Sequence, residues 1–182
     1  MKVMAAVPSY SHMSFPKLAA ETGLQNSMLV LFRLLLGWTF LYAGTNQVLN
    51  ANWTAGRFLA HANIFPELFA WVGSPAVVPY VDFLVQWGHL LIGVSLILGI
   101  CVRLSSGFGA MMMILYYLPR LDFPMVGAHN FIVEYHLVYA LILIYLGVMR
   151  AGRVGGLENW VAGLPVIPPV LAKYPGLRTW LG

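Results

Sequence analysis

The chain has 182 residues, of which 60% are hydrophobic and only 9% charged. A soluble domain carries about 25% charged residues, so the composition argues against a water-solvated globule, and no basic patch interleaved with aromatics points to nucleic acid. The single cysteine, Cys101, rules out an intrachain disulfide, a cysteine-rich zinc site and an iron–sulfur cluster.

Four long apolar runs organise the sequence. Residues 1–28 read as a polar, irregular segment, broken by Pro8 and Pro16 and without the continuous apolar stretch of a cleaved leader. The first run spans Leu29 to Val48. Residues 50–79 follow as the longest connection, with apolar side chains at 58, 59, 62 and at 65, 68, 69, 72, a spacing that predicts one or two short helices lying in a membrane interface. The second run covers Phe83 to Cys101 and the third Leu104 to Leu118, joined by a tight turn at Val102 and Arg103. Pro119 ends the third run, and residues 119–130 read as a short loop. The fourth run, Phe131 to Met149, leads into a glycine-rich stretch and a tail from 161 to 182 whose prolines at 165, 168, 169 and 175 exclude a further span.

A helix needs roughly 20 apolar residues to cross a bilayer. Three runs meet that length and the third is short. The predicted fold is all-α: a polytopic membrane four-helix bundle, up-down-up-down, with interfacial helices in the first outer loop and in the C-terminal tail. Eight of the 10 Lys and Arg residues fall on the side holding both termini, leaving Arg57 and Arg120 on the other. Basic residues are retained in the cytoplasm, so a multi-pass protein of the cell membrane with both termini cytoplasmic is expected.

Ionisable groups inside a bilayer are expensive and mark functional sites. In the second run Asp82, Gln86 and His89 recur at i, i+4 and i+7, which places them on one helix face. Glu134 and His136 enter the fourth span from the same outer side, and Tyr42, Thr45, Asn46 and Gln47 close the first span at that level. Arg33 stands at the opposite, cytoplasmic end, a candidate for an anionic lipid or a subunit interface. Each has a structural alternative. Asp82 can cap its helix, Glu134 can be a first-turn carboxylate, His89 and His136 can be packing histidines, and Arg33 can snorkel to headgroups. Glycines 37, 44, 88, 93, 99, 107 and 109 are expected where helices pack closely.

His89 and His136 as axial ligands of a b-type haem would need to share one depth, and they differ by a few residues. His89, His136 and Glu134 offer nitrogen and oxygen ligands but no compact metal signature such as HExxH. Haem and metal are therefore disfavoured. A quinone headgroup needs carbonyl partners and a proton path, and His, carboxylate and Tyr groups at bilayer depth supply both. His89, Glu134 and Asp82 are the candidate catalytic groups, with Asp82 or Glu134 fixing the His89 tautomer. His136, Gln86, Tyr42 and Arg33 are the candidate binding groups.

The stretches LFRLLLGWTFLYAGTNQVL, WGHLLIGVSLILGICVRLSSGFGAMMM and GVMRAGRVGGLENW together resemble the DoxX-like family over about residues 29–160. The long outer loop and the Trp-Gly before the second motif look more like its DoxD branch, which includes the small membrane subunit of thiosulfate:quinone oxidoreductase. The resemblance implies a four-helix membrane subunit that works with a partner protein and passes electrons to quinone. His89 stands where that family often has an acidic residue, and Asn46–Gln47 where it often has Lys. A non-catalytic accessory subunit, packed against a larger complex and contacting only lipid and protein, is the alternative.

Overall fold

The computed structural model describes residues 15–164 and Lys173. It is mostly helical, with α1 at Phe15–Leu49, α2 at Gly56–Leu59, α3 at Pro66–Val72, α4 at Val78–Leu98, α5 at Val102–Tyr117, α6 at Tyr135–Val148 and α7 at Glu158–Ala162. The predicted N-terminal segment and the proline-rich tail fall, for residues 1–14 and for most of 165–182, outside the described residues.

The first helix is longer than its apolar run, because the segment before it continues the helix without a break. Residues 22–28 of α1 are exposed, and Leu29 is the first to be buried against other elements. Thr22–Leu49 and Val78–Leu98 are long and apolar enough to cross a membrane, and Tyr135–Val148 is a shorter apolar helix.

Helices α1 and α4 run antiparallel in close contact, and glycines make that approach possible. A Cβ on Gly44 would stand 2.6 Å from the Leu90 amide nitrogen, one on Gly37 would stand 2.8 Å from Ile97, and one on Gly93 would overlap the Leu41 backbone. Gly107 instead has nothing near it, so the close-packing expectation fails there. Helix α5 packs along α6 and also meets α4, while α6 touches α1. The core between them holds Leu36, Phe40, Leu96, Val102, Leu143 and Leu146. Apolar residues also face outward from the same helices, including Leu35, Trp38, Leu84, Leu91, Met111, Leu141 and Val148. This two-sided hydrophobicity suits a lipid solvent and not water.

The turn between α4 and α5 occupies residues 99–101, slightly earlier than the sequence indicated. Gly99 takes φ +67° and its N–H donates to the Ser95 carbonyl, a left-handed helix ending that glycine adopts without strain. At the other end the expected loop after α5 contains a small antiparallel sheet: β1 at Leu121–Asp122, β2 at Met125–Val126 and β3 at Asn130–Phe131. The all-α expectation therefore needs this amendment. Strands of two residues are too short to register as alternation in a sequence, and Gly127 at φ +62° supplies the turn.

The fourth helix is shorter than its apolar run for the same reason. Phe131 belongs to β3, and Glu134 in extended conformation ends the loop and caps α6, its side chain accepting the His136 N–H. A second apolar cluster, Ala55, Leu59 and Phe69 with Trp53 and Leu118, binds α2 and α3 over this end of the long helices.

Candidate functional site

Beneath that cover, α1, α4, α5 and α6 bring together a column of rings. His89 on α4 is 4% exposed and lies 5.4 Å from the Phe40 ring of α1 and 5.7 Å from the Tyr116 ring of α5, between centroids. Tyr116 in turn stacks on His136 of α6 at 5.6 Å and 16° between planes. The Tyr135 ring also lies against His136, with centroids 4.1 Å apart. The two histidines thus share one buried column with a tyrosine between them.

The head of the column is charged. One carboxylate oxygen of Glu134 accepts from His136 Nδ1 at 2.6 Å and from the His136 backbone N–H at 3.1 Å. Its other oxygen pairs with the Arg120 guanidinium at 3.2 Å. The Glu134 side chain is fully buried while Arg120 is one-third exposed, so the chain of charge runs from the surface inward. Arg120 Nη1 also lies 3.3 Å from the Tyr135 hydroxyl. A carboxylate without partners would be costly to bury, and pairing with both an arginine and an imidazole offsets that cost.

Hydrogen bonding assigns the ring tautomers. His89 Nδ1 is 2.9 Å from the Val85 carbonyl, which can only accept, so Nδ1 carries the hydrogen and Nε2 is left to act toward a ligand. The expectation that Asp82 or Glu134 would fix this tautomer is thereby corrected: a carbonyl of its own helix does so. Asp82 has a different task. Its carboxylate accepts the Ala55 N–H at 2.8 Å and ties the loop carrying α2 to the start of α4.

The other expected residues separate. Gln86 is half-buried on α4, one turn from Asp82. Tyr42 is 62% exposed, stacks on Trp38 along the outward face of α1, and does not join the column. Helical phase decides this: Tyr42 follows the buried Phe40 by two positions and so faces away from it.

Arg33 lies at the opposite end of the helices and is 1% exposed, so it does not snorkel. Its Nη1 donates to the carbonyls of Ala151 at 2.7 Å and Val154 at 3.0 Å, and Nη2 to that of Gly155 at 2.8 Å. Gly99 and Gly156 leave room for the guanidinium, since a Cβ on either would come within 2.7 Å of Nη1. Beside it sits Glu158, which receives the Val102 N–H at the start of α5 and faces Arg153 Nε at 3.6 Å. Burial pushes the Glu158 carboxyl up, opposed by the nearby Arg153 and Arg150 charges and by the Val102 N–H. Burial and the Glu158 charge both push the Cys101 thiol up. Arg33 and Glu158 thus fasten the glycine-rich segment after α6 across the ends of α1, α4 and α5.

Sequence reasoning missed Arg120, Tyr116 and Glu158 as interacting groups. In the sequence Arg120 reads only as a topological charge, and nothing marks Tyr116 as a ring partner of the histidines. The legible signal for Glu158 was an acid among glycines and arginines next to the last helix. Among the described residues, no group of three His, Cys, Asp or Glu side chains is placed to hold a metal ion.

A family model described as DoxX matches residues 28–118, half of the chain, and takes in Arg33, Asp82, His89 and Tyr116 while stopping short of Glu134 and His136. No curated protein and no solved structure matches the chain.

Proposed function

The chain belongs to the DoxX family, and on that premise we propose that it is an integral membrane subunit of a quinone-linked redox complex. The complex is respiratory or sulfur-oxidising and resembles thiosulfate:quinone oxidoreductase of the DoxD branch. In this reading α1, α4, α5 and α6 are the four spans of an up-down-up-down bundle in the cell membrane, with both termini cytoplasmic, α2 and α3 at the outer interface, and a separate protein subunit supplying electrons. The family match and the apolar, outward-facing helices support membrane residence. The ring column under the outer cover supports the redox assignment.

The single observation that carries this reading is the continuous path from Arg120 through Glu134 and His136 to Tyr116 and His89. What supports a quinone headgroup here is the kind of groups gathered: the Phe40 and Tyr116 rings beside a buried imidazole whose Nδ1 is taken by the Val85 carbonyl. A bound quinone would supply the two-electron carrier chemistry. Neutral His89, with Nδ1–H fixed on Val85, offers Nε2 as proton acceptor; once protonated it offers a donor to a carbonyl. The His136–Glu134 pair stands between this group and the surface and holds a proton on its way in or out. Asp82 positions the loop that covers the column and excludes water.

The test is co-purification in mild detergent, with bound quinone and partner identified, followed by His89→Ala and His136→Ala in the intact complex. Quinone reduction falling at least tenfold while assembly survives is the expected result. Full activity in both variants, with no quinone retained by the wild type, would overturn the reading. The accessory-subunit reading draws on a specific observation too, since Glu134 caps α6 and pairs with Arg120, which is a structural task. It predicts instead that deletion of the chain destabilises the partner and that neither histidine variant affects turnover.

A further inference from the structure

A second feature of the outer end is a groove of about 380 Å³ between α2 and the turn that follows α5, lined among others by Arg57, His61, Asn63 and Arg120 over the Phe58 ring. Among the described residues, no carboxylate lines it. We propose that this groove binds a phosphate-type oxyanion, held by the guanidinium groups of Arg57 and Arg120.

The walls are fixed before any ligand arrives. The Asn63 backbone N–H donates to the Pro119 carbonyl at 2.8 Å, and the Gly127 N–H to the Arg120 carbonyl at 3.0 Å, so α2's loop and the sheet are stitched together across the groove. Gly127 makes the seat for Arg120: a Cβ there would come 2.9 Å from Arg120 Nη2, and its φ of +62° is one that glycine adopts without strain. His61 donates Nδ1–H to the Arg57 carbonyl at 2.8 Å, which leaves Nε2 as its free nitrogen and fixes the ring on the same turn as Arg57.

The chemistry favours a tetrahedral anion with several oxygens. Two guanidinium forks offer paired N–H donors that match phosphate oxygens. The Asn63 amide, which makes only a long 3.5 Å contact with the Arg120 carbonyl, adds a neutral donor from a third direction. Arg57 has no carboxylate partner among the described residues, so its charge is uncompensated, whereas Arg120 is already shared with Glu134. An anion at Arg120 therefore competes with Glu134 for the same guanidinium, which couples occupancy of the groove to the Glu134–His136 bond. That coupling rests on the Arg120–Glu134–His136 contacts alone and holds whether or not the ring column handles quinone.

The ligand phosphate is either free in solution or part of an outer-leaflet headgroup, and one experiment separates them. Thermal unfolding is followed in an uncharged detergent at constant ionic strength, with inorganic phosphate replacing chloride, and again with phosphatidylglycerol added to the micelles. Saturable stabilisation by inorganic phosphate identifies a free anion, and stabilisation by phosphatidylglycerol alone identifies a headgroup. In either case Arg57→Gln, an exposed substitution, weakens the apparent affinity at least tenfold, and Gly127→Ala does the same by displacing Arg120. No response to either probe, or an unchanged response in Arg57→Gln, overturns the proposal. Because the readout is binding and not turnover, its failure is distinguishable from failure of the quinone assignment.

Discussion

The carboxylate of Glu134 and the imidazole of His136, two residues apart, meet at 2.6 Å because the first caps the helix that the second begins. One local motif therefore does two things. It starts α6, and it aims a buried imidazole into the ring column with its proton on the nitrogen facing the carboxylate. Arg120 from the preceding turn closes the arrangement from the surface side.

Replacing Glu134 separates those roles. Glu134→Gln keeps an acceptor for the cap but loses the charge that Arg120 and His136 share. Hydrogen bonds to charged groups contribute about 1.5–3 kcal/mol, so a loss of about 2 kcal/mol is expected in detergent unfolding. Nitrogen NMR of the His136 ring should show a mixture of tautomers in the variant and a single one in the wild type. A single unchanged tautomer would show that the carboxylate does not set it.

At the opposite end, Arg33→Met should be among the most damaging single changes. It strands the carbonyls of Ala151, Val154 and Gly155 and leaves Glu158 beside an apolar side chain. Hydrogen bonds made by a charged group contribute about 1.5–3 kcal/mol each, so the loss of three should cost at least about 3 kcal/mol. Arg33→Lys should recover less than half of the loss, because one ammonium cannot reproduce two nitrogens spread over three carbonyls. Detergent unfolding temperatures of the three proteins decide the order.

Glu158 gives the chain a pH-dependent contribution whose sign follows from its raised folded value. The folded state binds this proton more tightly than the unfolded chain does. The stabilising contribution is fully present below the unfolded carboxyl value of about 4.3 and is lost as pH rises through the folded value. The difference in unfolding temperature between wild type and Glu158→Gln should therefore move against the wild type as pH is raised from 4 to 7. A difference that is flat with pH would mean that the carboxyl is not shifted.

Glycines on facing helices should respond in opposite ways. Gly93→Val drives a side chain into the Leu41 backbone and should cost about 2–3 kcal/mol or prevent folding. Gly107→Ala meets nothing within 4 Å and should gain about 0.5–1 kcal/mol by removing a helical glycine. Expression yield and unfolding temperature report both. Equal effects would show that the α1–α4 approach is looser than drawn.

The sequence alone determined that the chain is helical and lipid-solvated, because apolar runs of span length with few charges admit little else. It also determined that Asp82, His89, Glu134 and His136 approach one end, since helix rise and the order of turns fix their depth. It could not choose among their partners. A period of 3.6 residues gives the face of a helix but not what that face meets, so only packing put His89 against Tyr116, gave Asp82 to Ala55 and turned Tyr42 outward. Arg33 shows this most plainly: a lone arginine near a span end reads as a headgroup contact, and its three carbonyl partners lie about 120 residues away, where no local pattern can announce them. Long-range hydrogen bonds of this kind exist only once the glycine-rich segment has folded back, so the tertiary structure decided them.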